Sequence, residues 1–465
     1  MKTQQCAVVT LMIGAFAALA PAALAMPNFA RKYSVECAYC HTAIPALNET
    51  GYKFRAAGFR PPEEIGKDDG KKIDYGDYLS ARIQSRWDTQ VTNQPNGVRG
   101  ANLLSSGASG PRTTTNAFSF MEATLYPLTG AWGKHLGAET ELSVSPEDVF
   151  EIENAYIRFV TGTEKRFFTA RAGIFHPWEG FGASDRPYSN GRPLFQTSPL
   201  SARATGVPYV FQPWGLDEAG LELGGDIDRL SLRAAVLGGT LIRWSDEAQT
   251  FLAFPAQTGP WKGANQATAA LTKAADAPSH NTPDFSANLT YILHANGGGV
   301  SLLYYYGNVA TPTTCANGIA IGKKDPAGQV CGGEEVDFSN PSTQFSNKLD
   351  RMAAYVSYPS GKFLPRGGFQ YGSDTNPDRT KFHNKGVFFD GVFFVSDKVS
   401  AGLRYDWFHP NTAKLNTQWA VTPYVNVAFQ DGLQFIIDYQ HRDFQLDAVN
   451  HRQNDTLQAR LIFIK

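Results

Sequence analysis

From Tyr75 onward, apolar and polar residues alternate in short runs separated by turn residues. In 78–88, Leu79, Ala81, Ile83 and Trp87 alternate with Ser80, Arg82, Gln84, Arg86 and Asp88. In 136–144, Leu136, Ala138, Leu142 and Val144 alternate with Gly137, Glu139, Glu141 and Ser143. In 433–442, Leu433, Phe435, Ile437 and Tyr439 alternate with Gln434, Asp438, Gln440 and Arg442. A period of two predicts β-strands with one apolar and one polar face. Runs of about ten residues suit strands that cross a bilayer at a tilt, with apolar side chains toward lipid and polar ones toward a lumen. A cationic side chain facing mid-bilayer hydrocarbon costs about 2–4 kcal/mol, so the alternation is a physical requirement there.

Sixteen strands are predicted, beginning near residues 75, 116, 134, 150, 166, 216, 229, 284, 299, 345, 366, 382, 398, 418, 432 and 454. The even count suits a bacterial barrel. Every second connection is tight, as at Leu128-Thr129-Gly130, Gly225-Asp226-Ile227-Asp228, Ala295-Asn296-Gly297-Gly298, Pro359-Ser360-Gly361 and Ser396-Asp397-Lys398. The long segments 89–115, 176–215, 242–282 and 310–344 all fall at the opposite end. Short periplasmic turns and long outer loops are the expected asymmetry, which puts both chain termini in the periplasm. A soluble sandwich or propeller also has short alternating strands, but it does not sort its connections this way, and no repeat of propeller length occurs. The C-terminal run Leu-Ile-Phe-Ile-Lys departs from the aromatic ending common in such barrels; Phe463 is near the end but not last.

Residues 1–25 read as a secretory signal peptide: Lys2, an apolar run through Ala20, and small residues at Ala23-Leu24-Ala25. Met26 becomes the mature N-terminus. Pro21 interrupts the run, and no other apolar run is long enough for a membrane-spanning helix. Beyond Cys6 in that signal, the cysteines form two pairs, Cys37 with Cys40 and Cys315 with Cys331. In an exported chain each pair is expected to have one task. For Cys315 and Cys331, in one outer loop, that task is a disulfide, with metal capture the less favoured use because no histidine accompanies them.

Cys37-Ala38-Tyr39-Cys40-His41 is the attachment signature of a c-type haem. Two thiols bond the porphyrin, and the adjacent imidazole reaches the iron. A structural zinc site needs four ligands, and no further Cys or His occurs between His41 and His135. A thioredoxin-like pair would sit beside a βαβ pattern, which is absent. Composition agrees with β structure and adds no other chemistry: Phe (31), Tyr (19) and Gly (44) are plentiful, while Met is scarce (5). The formal charge of −1 gives no reason to expect a nucleic-acid partner.

The chain therefore divides into a signal (1–25), a monohaem cytochrome c segment (26–72) and a transmembrane, porin-like barrel (73–465). The middle piece is small. Phe29, Tyr33, Tyr39, Phe54 and Phe59 are thin cover for a self-sufficient core. A short helix is expected within 46–59. A sixteen-stranded barrel leaves a lumen, so the segment is expected to lodge there. Met26 and His176 are candidates for the sixth iron ligand, with Met121 and His135 as barrel alternatives and an open position as another. Arg82, Arg86, Glu139, Glu141, Arg158 and Glu222 are expected to line the lumen, with Arg233, Arg404, Asp406, Asp438 and Arg460, mostly as a hydrated wall; arginines there match haem propionates in charge. Glu147, Asp148, Glu179, Asp185, Glu334 and Glu335 place carboxylates in the outer loops.

Met26-Pro27-Asn28-Phe29-Ala30-Arg31-Lys32 followed by Cys37–His41 closely resembles the start of the fused cytochrome–porins, the outer-membrane monohaem cytochromes of iron-oxidising bacteria. Lys32 stands where that family usually has Gln. The specific resemblance covers about residues 26–60. It implies an outer-membrane electron conduit, a ferrous-iron oxidoreductase in effect, with one covalent haem c on Cys37, Cys40 and His41. Electrons would pass from extracellular Fe(II) to a periplasmic carrier, a small cytochrome or copper protein. Outward electron export to an external acceptor, or a solute porin with a haem-bearing sensor or plug, are the alternatives.

Overall fold

The computed structural model describes residues 27–68, 74–93, 112–145, 148–177, 188–196, 218–238, 242–245, 250–253, 270–271, 283–312, 318, 326, 344–375, 381–410, 412, 417–429, 432–445 and 451–464. The N-terminal segment holds helix α1 (Pro27–Tyr33), a 3-10 turn (Cys37–Tyr39), a minimal hairpin of β1 (His41–Ala43) and β2 (Ala46–Leu47), and helix α2 (Glu49–Ala56). α2 lies inside the expected 46–59.

The barrel follows in chain order: β3 (Ser80–Asn93), β4 (Arg112–Tyr126), β5 (Gly130–Trp132), β6 (Leu136–Ser145), β7 (Asp148–Thr163), β8 (Arg166–Phe175), β9 (Glu218–Ile227) and β10 (Leu230–Leu237). Three short strands, β11 (Ile242–Ser245), β12 (Thr250–Ala253) and β13 (Ala270–Leu271), form a separate sheet within the long connection 242–282. The barrel resumes with β14 (Asp284–His294), β15 (Gly298–Pro312), β16 (Gln344–Ser357), β17 (Phe363–Thr375), β18 (Lys381–Phe394), β19 (Val399–His409), β20 (Gln418–Ala428), β21 (Leu433–Gln445) and β22 (His451–Ile464).

Sixteen long antiparallel strands close into one barrel, each paired with its chain neighbour. β22 closes it against β3, in register from Gln453↔Asn93 to Ile464↔Arg82. The three-residue β5 pairs with the start of β6, while the end of β4 reaches β6 directly. The first strand begins at Ser80 rather than near 75, because Tyr75–Asp77 forms a 3-10 turn whose Gly76 amide is bound by the Asp74 carboxylate at 2.9 Å. The other fifteen begin within four residues of the expected positions.

The exterior carries the apolar half of the alternation. Ile83, Trp87, Leu136, Val144 and Tyr439 all point outward and are exposed, as are Phe118, Phe389 and Leu403. An apolar surface of this extent belongs in lipid. Among the described residues no helix is long and apolar enough to cross a membrane, and the strands make the crossing.

The N-terminal segment sits in the mouth of the barrel at the tight-turn end. The Asn28 side chain donates to Thr129 O (3.2 Å), Arg31 donates to Gly76 O (2.8 Å), and Thr42 Oγ1 donates to Asn296 O (2.5 Å). The Glu49 amide donates to Ala295 O (2.9 Å). At one point two backbones come close. A Cβ on Gly137 would lie 2.4 Å from Gly58 O, and Gly58 itself holds a φ of +68°, which favours glycine. Gly137→Leu is therefore expected to lift the segment while sparing the outward wall. Limited proteolysis should cut residues 27–68 well before the wild type, with the barrel still heat-resistant on a gel. Overpacking of about 1–3 kcal/mol sets the scale.

Candidate functional site: the Cys37–His41 turn in the barrel mouth

Four aromatic residues of the segment, Phe29, Tyr33, Phe54 and Phe59, gather into one knot. Phe29 stacks on Phe59 (ring centroids 5.2 Å apart) and meets Phe54 edge-on (5.1 Å), while Tyr33 meets Phe54 edge-on (5.7 Å). The Tyr33 hydroxyl donates to Phe59 O at 2.8 Å, tying α1 to the chain beyond α2. Phe54 and Phe59 belong to a buried cluster that continues upward through Tyr156, Phe175, Leu194 and Phe195, and Phe29, Tyr33 and Cys40 pack on its edge. The cover that the segment lacks by itself is supplied by inward side chains of the barrel and by 194–195.

The Cys37–His41 loop is a compact turn. The Tyr39 amide donates to Glu36 O (3.0 Å), and the Cys40 amide donates to Cys37 O (3.1 Å). Cys37, Cys40 and His41 are each half-buried. Asn48 braces the loop from below: its Nδ2 donates to Ala38 O (3.2 Å) and Tyr39 O (3.1 Å), and its amide donates to Cys40 O (2.9 Å). Its Oδ1 accepts from the Gly51 amide (2.9 Å) and caps α2. Gly51 is required, since a Cβ there would lie 2.2 Å from Cys40 O. Burial, with the Cys37 and Glu63 charges adding to it, pushes the Cys40 thiol up to about 12. Burial and the Glu63 carboxylate, which accepts from the Tyr39 hydroxyl at 2.8 Å, hold the Tyr39 phenol above the usual range.

These residues fit a covalent haem. Two thiols stand on one turn, an imidazole follows directly, and an aromatic knot packs against Cys40. Among the described residues no three His, Cys, Asp or Glu side chains come together in a metal-holding group.

The barrel grips the segment through buried cations. The fully buried Arg158 donates from Nη1 to Arg55 O (2.7 Å) and Ala56 O (3.0 Å) at the end of α2, where a helix leaves carbonyls needing donors. Arg60 donates to Gly133 O (2.9 Å) and Leu136 O (3.1 Å). Buried Lys32 binds the Tyr78 hydroxyl (2.8 Å) and Ala131 O, with its ammonium 4.2 Å from the Tyr78 ring centre.

The lumen departs from a hydrated wall. Part of the connection 176–215 folds inward, and residues 188–190 and 193–196 are buried. Arg404 donates to Ser189 Oγ (2.6 Å) and Gly191 O (2.6 Å). Asp438 accepts from the Asn190 amide (2.6 Å), Asp406 accepts from the Leu194 amide (3.2 Å), and Arg460 donates to Asn190 O (2.8 Å). Arg404, Asp406, Asp438 and Arg460 are thus latches for this inward piece. Tyr188 packs in a cluster that includes Ala46, so the inward piece touches the N-terminal segment.

The other expected lumen residues also face inward. Arg82 pairs with Glu122 (2.5 Å) and Glu141 (3.1 Å), Glu139 accepts from the Tyr156 hydroxyl (2.6 Å), Arg233 pairs with Asp226 (3.0 Å), and Arg86 pairs with Asp88. Glu222 pairs with Arg171 at 2.6 Å, both almost fully buried. Arg171, the bidentate pair Arg351–Asp374 (2.9 Å to each oxygen) and Arg366–Asp390 were missed from sequence. They sit at inward positions of the same alternation, so parity alone could have found them.

The described candidates for a sixth ligand stand on separate elements of the barrel. His135 stacks on the outward-facing Phe159 at 5.3 Å, outside the lumen. Met121 falls at the bulge where β3–β4 pairing skips between Gln84↔Glu122 and Ser85↔Phe120. His176 follows β8 at its long-connection end, its amide donating to Asn154 Oδ1 (3.3 Å), and its neighbour Phe175 belongs to the buried cluster on which Cys40 packs. Met26, Cys315, Cys331, Glu147, Glu179, Asp185, Glu334 and Glu335 lie outside the described residues, as does the side chain of Asp148.

No protein-family model matches the chain, and no curated protein matches it. Among solved structures, it shares its fold with the anion-selective porin from Comamonas acidovorans, at a TM-score of 0.50 and 9% identity, over 83% of this chain and 99% of that one. The outer membrane channel DcaP of Acinetobacter baumannii (TM-score 0.45, 9% identity, 83% and 97% covered) is similar more loosely, as is OprB of Pseudomonas putida (0.42, 11%, 82% and 94%). The chain has a porin-type barrel, and its mouth holds a Cys-x-x-Cys-His turn.

Arg158→Leu tests the grip. It strips two carbonyls of their donor inside a dry contact, a loss of about 2–4 kcal/mol. Hydrogen exchange at the amides of 55–60 should accelerate, while the barrel amides of β14–β22 keep their protection.

Proposed function

We propose that this chain is an outer-membrane electron conduit that takes electrons from extracellular Fe(II) and passes them, through one haem c on Cys37, Cys40 and His41, to a periplasmic carrier. The observation that carries the reading is the seat of the Cys37–His41 turn inside the mouth of a closed barrel. A haem tethered below the membrane would serve a periplasmic reaction only, whereas one built into the barrel faces both ends. When bound, the haem supplies a single one-electron centre. His41 would ligate its iron, while Cys37 and Cys40 hold the macrocycle. Phe29, Phe54 and Phe59 exclude water from the Cys40 side, and a low local dielectric raises the sensitivity of the potential to nearby charge. Ferrous iron as donor rests on the resemblance at Met26–Lys32 and Cys37–His41. Outer-membrane residence is supported by the apolar belt and the porin-type fold.

The shared porin fold favours one second reading, a solute porin whose haem segment is a plug or sensor. Two inward pieces, 27–68 and 188–196, occupy the lumen, which weighs against an open channel though not against a plug.

Two outcomes are expected. Fe(II) added to purified oxidised protein at acidic or neutral pH should bring up the reduced-haem absorbance bands. His41→Ala should remove that response with the barrel still inserted in membranes. A haem that dithionite reduces and Fe(II) never does would sink the iron reading. In planar bilayers the wild type should show no large stable conductance, and a persistent open channel of porin size would favour the solute reading.

A further inference from the structure

Three successive carbonyls of the haem-attachment turn, those of Ala38, Tyr39 and Cys40, all accept from Asn48. The same residue is anchored to the barrel. Its neighbour Glu49 donates its amide to Ala295 O at 2.9 Å and accepts with its carboxylate from Arg229 Nε at 3.2 Å. On the other side, Leu47 O presses so closely on Gly297 that a Cβ there would lie 2.0 Å away, and Gly297 has a φ of +88°. Thr42, one residue past His41, donates to Asn296 O at 2.5 Å. The turn 295–297 between β14 and β15 therefore touches the chain on both sides of the attachment loop.

We propose that Asn48, mounted on the 295–297 turn, is the positioning residue that fixes the Cys37–His41 loop, and with it the direction of the His41 imidazole. The proposal rests on the haem reading above. A loop of five residues with half-buried side chains has many backbone states of similar energy. Each hydrogen bond to a carbonyl removes some of them with a modest net gain, and one side chain that serves two carbonyls removes correlated states together. Groups behind a metal ligand typically change metal affinity or activity about 10–100-fold when lost. The barrel turn, rather than a core of the segment's own, then decides how the iron ligand is presented.

The two chemistries of the Asn48 side chain can be separated. Its oxygen caps α2 and its nitrogen clamps the loop. Asn48→Asp keeps the acceptor at Gly51 and removes the donor, and a carboxylate facing the Ala38 and Tyr39 carbonyls repels them. Asn48→Ala removes both. Holoprotein of each variant is compared with the wild type for covalent haem content, by the alkaline pyridine spectrum of the denatured protein, and for cyanide capture by the oxidised iron. Melting of the barrel serves as a fold control.

Equal haem content and equal barrel melting are expected, with cyanide capture about tenfold faster in Asn48→Asp as the loop loosens. Asn48→Ala should be at least as fast, and the haem absorbance bands should broaden in both. If Asn48→Asp matches the wild type in cyanide capture and band shape while Asn48→Ala does not, Asn48 is a helix cap and the proposal is overturned. It is also overturned if both variants match the wild type. A wild type with no covalent haem at all sinks the underlying haem reading instead, so the two failures are distinguishable.

Discussion

In a bilayer core no water is available to bond an unpaired amide or carbonyl, and a spanning sheet must therefore have no edge. The pairing of β22 with β3 meets that requirement, and the rest of the molecule follows from it. Closure forces side chains to sort by parity, with Ile83 and Trp87 outward and Arg82, Gln84 and Arg86 inward. It also creates an interior too wide for wall side chains to fill at sixteen strands. That interior must hold water or other parts of the chain, and here it holds residues 27–68 at the turn end and 188–196 deeper in.

The interior is polar, so the parts that enter it are held by charge and by main chain. Arg158 and Arg404 are fully buried, yet each meets backbone carbonyls of the piece it holds. Others remain in wall pairs such as Arg171–Glu222 and Arg351–Asp374. Leaving such an ion buried alone is strongly destabilising, so these pairs commit the wall to one arrangement. The aromatic knot of the segment then completes what the polar contacts begin. Phe54 and Phe59 pack into the same cluster as Phe175 and Phe195 from the wall and the inward connection. A segment too small for its own core borrows one.

This arrangement gives the Cys37–His41 turn a fixed place on a membrane barrel. A Cys-x-x-Cys-His turn on a mobile tether would have no fixed relation to either side of the membrane. Here the turn is bracketed by the 295–297 connection and by α2, and it lies against a wall that spans the bilayer. The thiols and imidazole are half-buried, and Cys40 packs against the aromatic knot.

Parity along the strands and the alternation of short and long connections were legible in the chain, because lipid imposes both directly on residue order. Sixteen strands, nearly all their starts and the inward set from Arg82 to Arg460 follow from that constraint, and Cys37–His41 carries the spacing of a c-type haem attachment signature. The displaced first strand shows where local chemistry won, since Asp74 caps a turn at Gly76 before the sheet begins. Tertiary structure alone decided that Arg158, Arg404, Asp406, Asp438 and Arg460 latch the inward pieces, that 188–196 enters the lumen, and that Asn48 braces the Cys37–His41 turn. The reason is sequence distance: Arg404 meets Gly191 213 positions away, and Thr42 meets Asn296 254 positions away. Periodicity carries no information about contacts between elements that closure of the barrel brings together.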